Sequence, residues 1–200
     1  MFDSQLRLLV DRPLHFVAVR VARAGPSADC LTVVGALVAL GAAAAVSGGH
    51  MPLALALVFA SRIFDGLDGA VARINGPTAW GGYLDSLADY VFYVSIPVAF
   101  GLSHPENLVP ALLLVASFTI TAVSFLAFAA IAALQTPHRN GEQPKAFVYS
   151  TGLMEGGETI LFFALFCLFP TAFPVLALTF SGLCLLTVVQ RLWLASKQFS

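Results

Sequence analysis

From near residue 30 to its end, the chain is a succession of apolar runs, each close to the length that a helix needs to cross a bilayer. Crossing about 30 Å of hydrocarbon takes about 20 helical residues. In lipid only helices or closed barrels satisfy the backbone internally, and these runs lack the alternation of barrel strands. Composition agrees: 58% of the 200 residues are hydrophobic, 10% are charged, and mean hydropathy is +0.87. A soluble domain of this size carries roughly 25% charged residues. The expected fold is an all-α integral membrane protein.

Turn signals divide the runs into six expected spans, about 29–46, 53–74, 81–101, 109–134, 155–170 and 173–195. SGGHMP, GLSHPEN and QTPHRNGEQPK mark three of the connections. Upstream, residues 6–23 mix Leu6, Leu8, Leu9, Phe16, Val19 and Val21 with Arg7, Arg12, Arg20 and Arg23, which suits an amphipathic helix in the headgroup region, broken near Pro13. The expected division is therefore a juxtamembrane segment, 1–28, and a six-helix membrane domain, 29–200. The charges spread through this N-terminus and the lack of a small-residue cleavage site do not suit a removable signal peptide.

All ten Lys and Arg residues fall on one set of connections: the N-terminal segment, Arg62 and Arg73, Arg139 and Lys145, and Arg191 and Lys197. The turns around Gly48, His104 and Pro170 contain none. By the positive-inside rule both termini face the cytoplasm, and so does the polar stretch at 65–89. A net charge of -1 with no basic patch excludes a nucleic-acid polymer as partner. Cys30, Cys167 and Cys184 have no metal or disulfide spacing, and are expected as small core residues.

The polar stretch reads DGLDGAVARINGPTAWGGYLDSLAD. Residues three or four apart on a helix share a face, so Asp65 and Asp68 point one way, as do Asp85 and Asp89. RINGPTAWG is a short turn that brings the two helices back beside each other. Four carboxylates then converge at the cytoplasmic end, each costing about 2.5 to 3.5 kcal/mol at mid-membrane depth and less near the interface. Arg62 and Arg73 neutralise two at most. Hard divalent cations with oxygen ligands suit the rest, and two such ions clamp a diphosphate well. Gly66 and Gly69 remove side chains beside the carboxylates, which lets a ligand approach the backbone.

These residues resemble the signature of the CDP-alcohol phosphotransferases. Asp65, Asp68, Gly69, Ala72 and Arg73 are followed, after seven residues, by Gly81, Asp85 and Asp89. The spacer is one residue shorter than the family's usual one, and every signature position is filled. The resemblance implies transfer of a phosphatidyl or related group from CDP-diacylglycerol, or a similar CDP-linked lipid, to a hydroxyl of a polar alcohol, with release of CMP. It implies two Mg²⁺ or Mn²⁺ ions, bridged by Asp65 and Asp85. Asp68 completes one ion; Asp89 completes the other and acts as general base. Gly69, Arg73 and Thr78 would meet the donor, as would Asp29 and Thr32 in SADCLT, where Asp29 replaces the commoner Asn and also suits a helix cap. Family members are commonly dimeric, so a homodimer is among the implied partners, in what is expected to be a bacterial inner membrane.

For the acceptor pocket the candidates are Arg139, Lys145, Glu155, Glu158 and Arg191. Glu155 and Glu158 share a helix face and would disfavour a phosphorylated alcohol, although acids at a helix start also complement its dipole. His138 is expected to be a solvated loop residue. Two other functions accommodate an acidic membrane cluster: a prenyltransferase using a diphosphate donor, and a divalent-cation transporter. The first leaves the glycine and arginine positions unexplained, and the second is ill served by a cation beside the path.

Overall fold

The computed structural model describes residues 14, 16–23, 25–135 and 156–199, and among them every regular element is helical. Residues 16–23 form α1. There follow α2 (Ala28–Ser47), α3 (Met51–Asn75), α4 (Ala79–Ser103), α5 (Leu108–Gln135), α6 (Gly156–Leu168) and α7 (Phe173–Gln198), with single 3₁₀ turns at Pro105–Asn107 and Pro170–Ala172. Each expected span has a helix at its place, with ends shifted by a few residues.

Local chemistry sets those ends. The Ser27 hydroxyl caps α2 by accepting from the Cys30 N–H at 3.2 Å. α3 stops at Gly76, whose φ of +98° closes the helix in a conformation that favours glycine. Thr78 then caps α4, its hydroxyl accepting from the Gly81 N–H at 2.9 Å. Only Gly76, Pro77 and Thr78 separate the two helices that carry the aspartates.

Four stretches are long and apolar enough to cross a membrane by length and composition: Ala28–Ser47, Ala79–Ser103, Pro105–Leu134 and Pro170–Gln198. α3 has 25 residues, but Arg62, Asp65, Asp68 and Arg73 interrupt its apolar character. α6 has 13 residues, short for a full crossing. Of the expected amphipathic segment, residues 6–13 lie outside the described part. In α1, Ala18 is fully buried, Phe16 is exposed, and the Arg20 guanidinium stands 3.5 Å from the Phe16 ring centroid.

α2 packs along both α3 and α4, α5 along α4 and α7, and α6 against α3 and α7. Lipid tails are as apolar as leucine, so close packing, rather than escape from water, holds such helices together. Small residues bring α2 against its neighbours: Ala39, Ala42 and Ala45 are buried with Ala54 and Val58 of α3. Farther out the core is aromatic. Phe92 and Phe100 of α4, Phe118 of α5, Phe163 and Phe166 of α6, and Phe173 and Phe180 of α7 join one cluster, with the Phe100 and Phe173 rings stacked at 4.7 Å. A second cluster (Leu31, Leu67, Ala70, Val71) seats α1 through Ala18. Large apolar side chains cover the outer surface, for example Leu102 at 74% exposure. Cys167 and Cys184 are buried as expected, whereas Cys30 is exposed, because it lies in the first turn of α2 on the side away from its neighbours.

The tightest helix approach at the far end of the bundle is at Gly101. A Cβ there would lie 2.7 Å from the Ala111 Cβ of α5. Gly101→Val is therefore expected to lower stability by about 1–3 kcal/mol, measured as a lower Tm in detergent. Gly82→Ala, where nothing lies within 4 Å of the added carbon, is the control and should change it little.

Candidate active site

α3 and α4 are joined by the short Gly76–Thr78 connection, and α2 packs along both. Spacing along each helix puts Asp65 beside Asp68 and Asp85 beside Asp89. Across the two helices, one carboxylate oxygen each from Asp65, Asp68 and Asp85 lies within 4.8 Å of the others. Asp68 is the most enclosed, at 4% exposure, and its Oδ2 is buried with no hydrogen-bond partner. A buried anionic oxygen without a partner is costly, and native structures rarely leave one. Three carboxylates and no nitrogen or sulfur donor suit a hard cation such as Mg²⁺ or Mn²⁺. The residues fit the expected metal.

Asp89 borders this group and shares an arginine nitrogen with Asp65. Its Oδ1 accepts from Arg62 Nη1 at 2.7 Å, and the same nitrogen lies 3.6 Å from Asp65 Oδ1. Arg62 Nη2 donates to the Ser61 hydroxyl at 3.2 Å, and the guanidinium carbon sits 3.8 Å from the Phe92 ring centroid. The expectation of four convergent carboxylates is thus met by three, with the fourth on an arginine. The reason is through-space: α4 brings position 89 opposite position 62 of α3, a pairing that no spacing within either helix reveals.

α2 closes the site from a third side. Thr32 is buried, donates its hydroxyl proton to the Ala28 carbonyl at 3.1 Å, and lines a crevice with Gly35, Ala36, Ser61, Arg62, Asp65, Asp68 and Ala88. Gly35 is needed for this approach. A Cβ there would stand 3.2 Å from the Phe64 Cβ and 3.6 Å from the Ser61 carbonyl. Gly35 and Ser61 escaped the sequence reading; the only available signal was two small residues inside apolar runs.

The other donor candidates divide. Asp29 is not the α2 cap, a role that Ser27 takes. Its Oδ1 instead lies 3.2 Å from where a Gly81 Cβ would be, with Thr78 Oγ1 at 3.0 Å, so Asp29, Thr78 and Gly81 form one group at the start of α4. Arg73 is exposed, with Nη1 3.5 Å from the corresponding point on Gly69. That is ordinary contact, so no protein atom among the described residues demands glycine at 69. Gly66 differs: the Leu14 side chain comes to 3.2 Å of its missing Cβ, so its space is taken by packing and not by a ligand.

Of the acceptor candidates, Arg139, Lys145 and Glu155 lie outside the described residues, as does His138. Glu158 is half-buried in the first turn of α6. Arg191 is buried between α7 and α5, where Nη1 donates to the Thr121 carbonyl at 2.9 Å and to the Ser124 hydroxyl at 3.1 Å.

The chain is similar to known proteins. A family model described as CDP-alcohol phosphatidyltransferase matches residues 26–193. The chain is 41% identical over 195 residues to the inner membrane protein YnjF of Escherichia coli K12, covering 96% of this chain and 94% of that one. It is 42% identical over 87 residues to the archaetidylinositol phosphate synthase of Methanothermobacter thermautotrophicus, 43% of each chain. Among solved structures, the fold is shared with phosphatidylinositol phosphate synthase PgsA1 of Mycobacterium tuberculosis. Its complex with manganese and citrate gives a TM-score of 0.72 at 20% identity, covering 90% of this chain and 87% of that one. The form with CDP-DAG bound gives 0.72 at 20% identity, covering 91% and 92%.

The three-carboxylate group makes a direct prediction. A ligand at about 100 times its Kd stabilises a protein by about 2.7 kcal/mol. Mn²⁺ at that excess should raise the Tm of the wild-type chain in detergent, and Asp68→Asn should remove most of the rise.

Proposed function

The chain belongs to the CDP-alcohol phosphatidyltransferase family, and on that premise we propose that it moves the phosphatidyl group of CDP-diacylglycerol, or of a similar CDP-linked lipid, to a hydroxyl of a polar alcohol, releasing CMP. The observation that carries this reading is the convergence of Asp65, Asp68 and Asp85 within 4.8 Å, with an unpartnered buried oxygen on Asp68, inside the family's signature stretch. Asp65, Asp68, Asp85 and Asp89 would together hold two Mg²⁺ or Mn²⁺ ions. When bound, such ions supply positive charge that offsets the diphosphate and the carboxylates around it.

The chain's own groups account for the rest. Arg73, exposed above Gly69, offers a planar fork of donors to a donor phosphate, and Gly69 leaves the backbone open beside it. Thr32 lines the crevice, and Thr78 and Asp29 lie together at the start of α4, so that hydroxyl and carboxylate groups can meet the nucleotide. Asp89 takes the acceptor's hydroxyl proton as the oxygen attacks phosphorus and the bond to CMP breaks. Before any ion binds, Arg62 holds Asp89 in place through Oδ1. Arg191 and Glu158, with Arg139, Lys145 and Glu155, would form the acceptor side.

In this reading α3 and α6 also cross the membrane, making six spans, and α1, within the juxtamembrane segment 1–28, lies along the surface. All cations then gather at one side, supporting cytoplasmic termini and a cytoplasmic site in a bacterial inner membrane, with the chain assembled as a homodimer. The Lys197 ammonium over the Trp193 ring, 3.8 Å from its centroid, suits that interface. Family membership favours this function over the prenyltransferase and the cation transporter.

Purified protein with CDP-diacylglycerol, Mn²⁺ and a panel of alcohols should release CMP and yield a new phospholipid by mass spectrometry. Two relatives are named as inositol phosphate lipid synthases, so inositol phosphate belongs on the panel beside free polyols. Pyrophosphate release from a prenyl donor, or no CMP with any acceptor, would overturn the proposal. General-base groups contribute about 10²–10⁴-fold; Asp89→Asn should lower turnover by at least that factor, since it removes a metal ligand together with the base.

A further inference from the structure

Arg62 is fixed by contacts that do not involve the carboxylates. Its guanidinium lies on the ring of Phe92, which is fully buried in the aromatic core and packs on Phe163 at 5.0 Å, and Nη2 is tied to the buried Ser61. Its Nε is buried without a hydrogen-bond partner, a cost borne to keep the charge where it is. From that position Nη1 reaches Asp89 at 2.7 Å and Asp65 at 3.6 Å. Asp85 and Asp89 share a face of α4, so Asp89 is within reach of the Arg62 guanidinium and, on the two-ion reading, would also be within reach of an ion held with Asp85.

We infer that Arg62 is a positioning residue that competes with a metal ion for Asp89, so that a first divalent ion enters the Asp65, Asp68 and Asp85 group without disturbing the pair, whereas a second must draw Asp89 from Arg62. This rests on the two-ion reading of the site. The competition is electrostatic and steric: a guanidinium hydrogen-bonded to a carboxylate and a divalent ion coordinated by it repel at short range. Arg62 thereby separates the affinities of the two ions and keeps Asp89 aligned until the site fills.

The test counts bound Mn²⁺ directly, through the electron paramagnetic resonance signal of the free ion, on the full chain in detergent with no substrate. The wild type should bind two ions in separate steps. Removing one unit of positive charge within a few ångströms should tighten the second step by about tenfold or more in Arg62→Gln. Arg62→Lys, which keeps the charge, should stay nearer the wild type. Asp89→Asn tests the same idea without touching Arg62: the second step should disappear, whereas the first, which loses a neighbouring charge but keeps its three ligands, should weaken by no more than about tenfold. An Arg62→Gln protein that titrates like the wild type, or an Asp89→Asn protein whose first step weakens as much as its second, overturns the competition. Failure of the wild type to bind Mn²⁺ at all would instead overturn the two-ion reading beneath it.

Discussion

Putting carboxylates into an apolar helical bundle is the constraint on which the rest of this structure depends. Anions at such depth need a counter-charge, and the need is answered twice within a few ångströms. Arg62 answers it for Asp89. Asp65, Asp68 and Asp85 are gathered closely enough to share one cation, and Oδ2 of Asp68 is buried with no hydrogen-bond partner among the described residues.

The packing around this cluster serves its geometry. α2 comes close to α3 at the level of the carboxylates, and Gly35 eases the approach where an added Cβ would crowd the Phe64 Cβ. The connection between α3 and α4 is three residues long, which fixes the two aspartate pairs in register. Phe92 links site and core directly, since the ring that supports Arg62 also packs in the Phe163 cluster. Packing changes deep in the bundle therefore reach the charge balance of the site through a single side chain.

Much of this was legible in the chain itself. Helix positions followed from run lengths and turn residues, because both are local properties. Glycine roles were less legible. Gly66 and Gly69 look equivalent in sequence, yet Leu14 fills the space over one, while only the edge of Arg73 touches the other. The burial of Asp68 and Thr32 and the exposure of Cys30 likewise depend on which helix lies opposite, which a single sequence does not display.

By itself, the sequence determined that the chain is a membrane-embedded helical bundle and that its aspartates come in two pairs, since helix formation and three- or four-residue spacing are set by neighbours along the chain. It also determined the family, through eight signature positions lying within 25 residues. Only the tertiary structure decided that three of the aspartates form one group and that Asp89 belongs to Arg62, 27 residues away. The physical reason is that charge pairing acts through space. Which anion meets which cation depends on how α2, α3 and α4 pack, and that was settled by small residues and a buried ring rather than by the charges themselves.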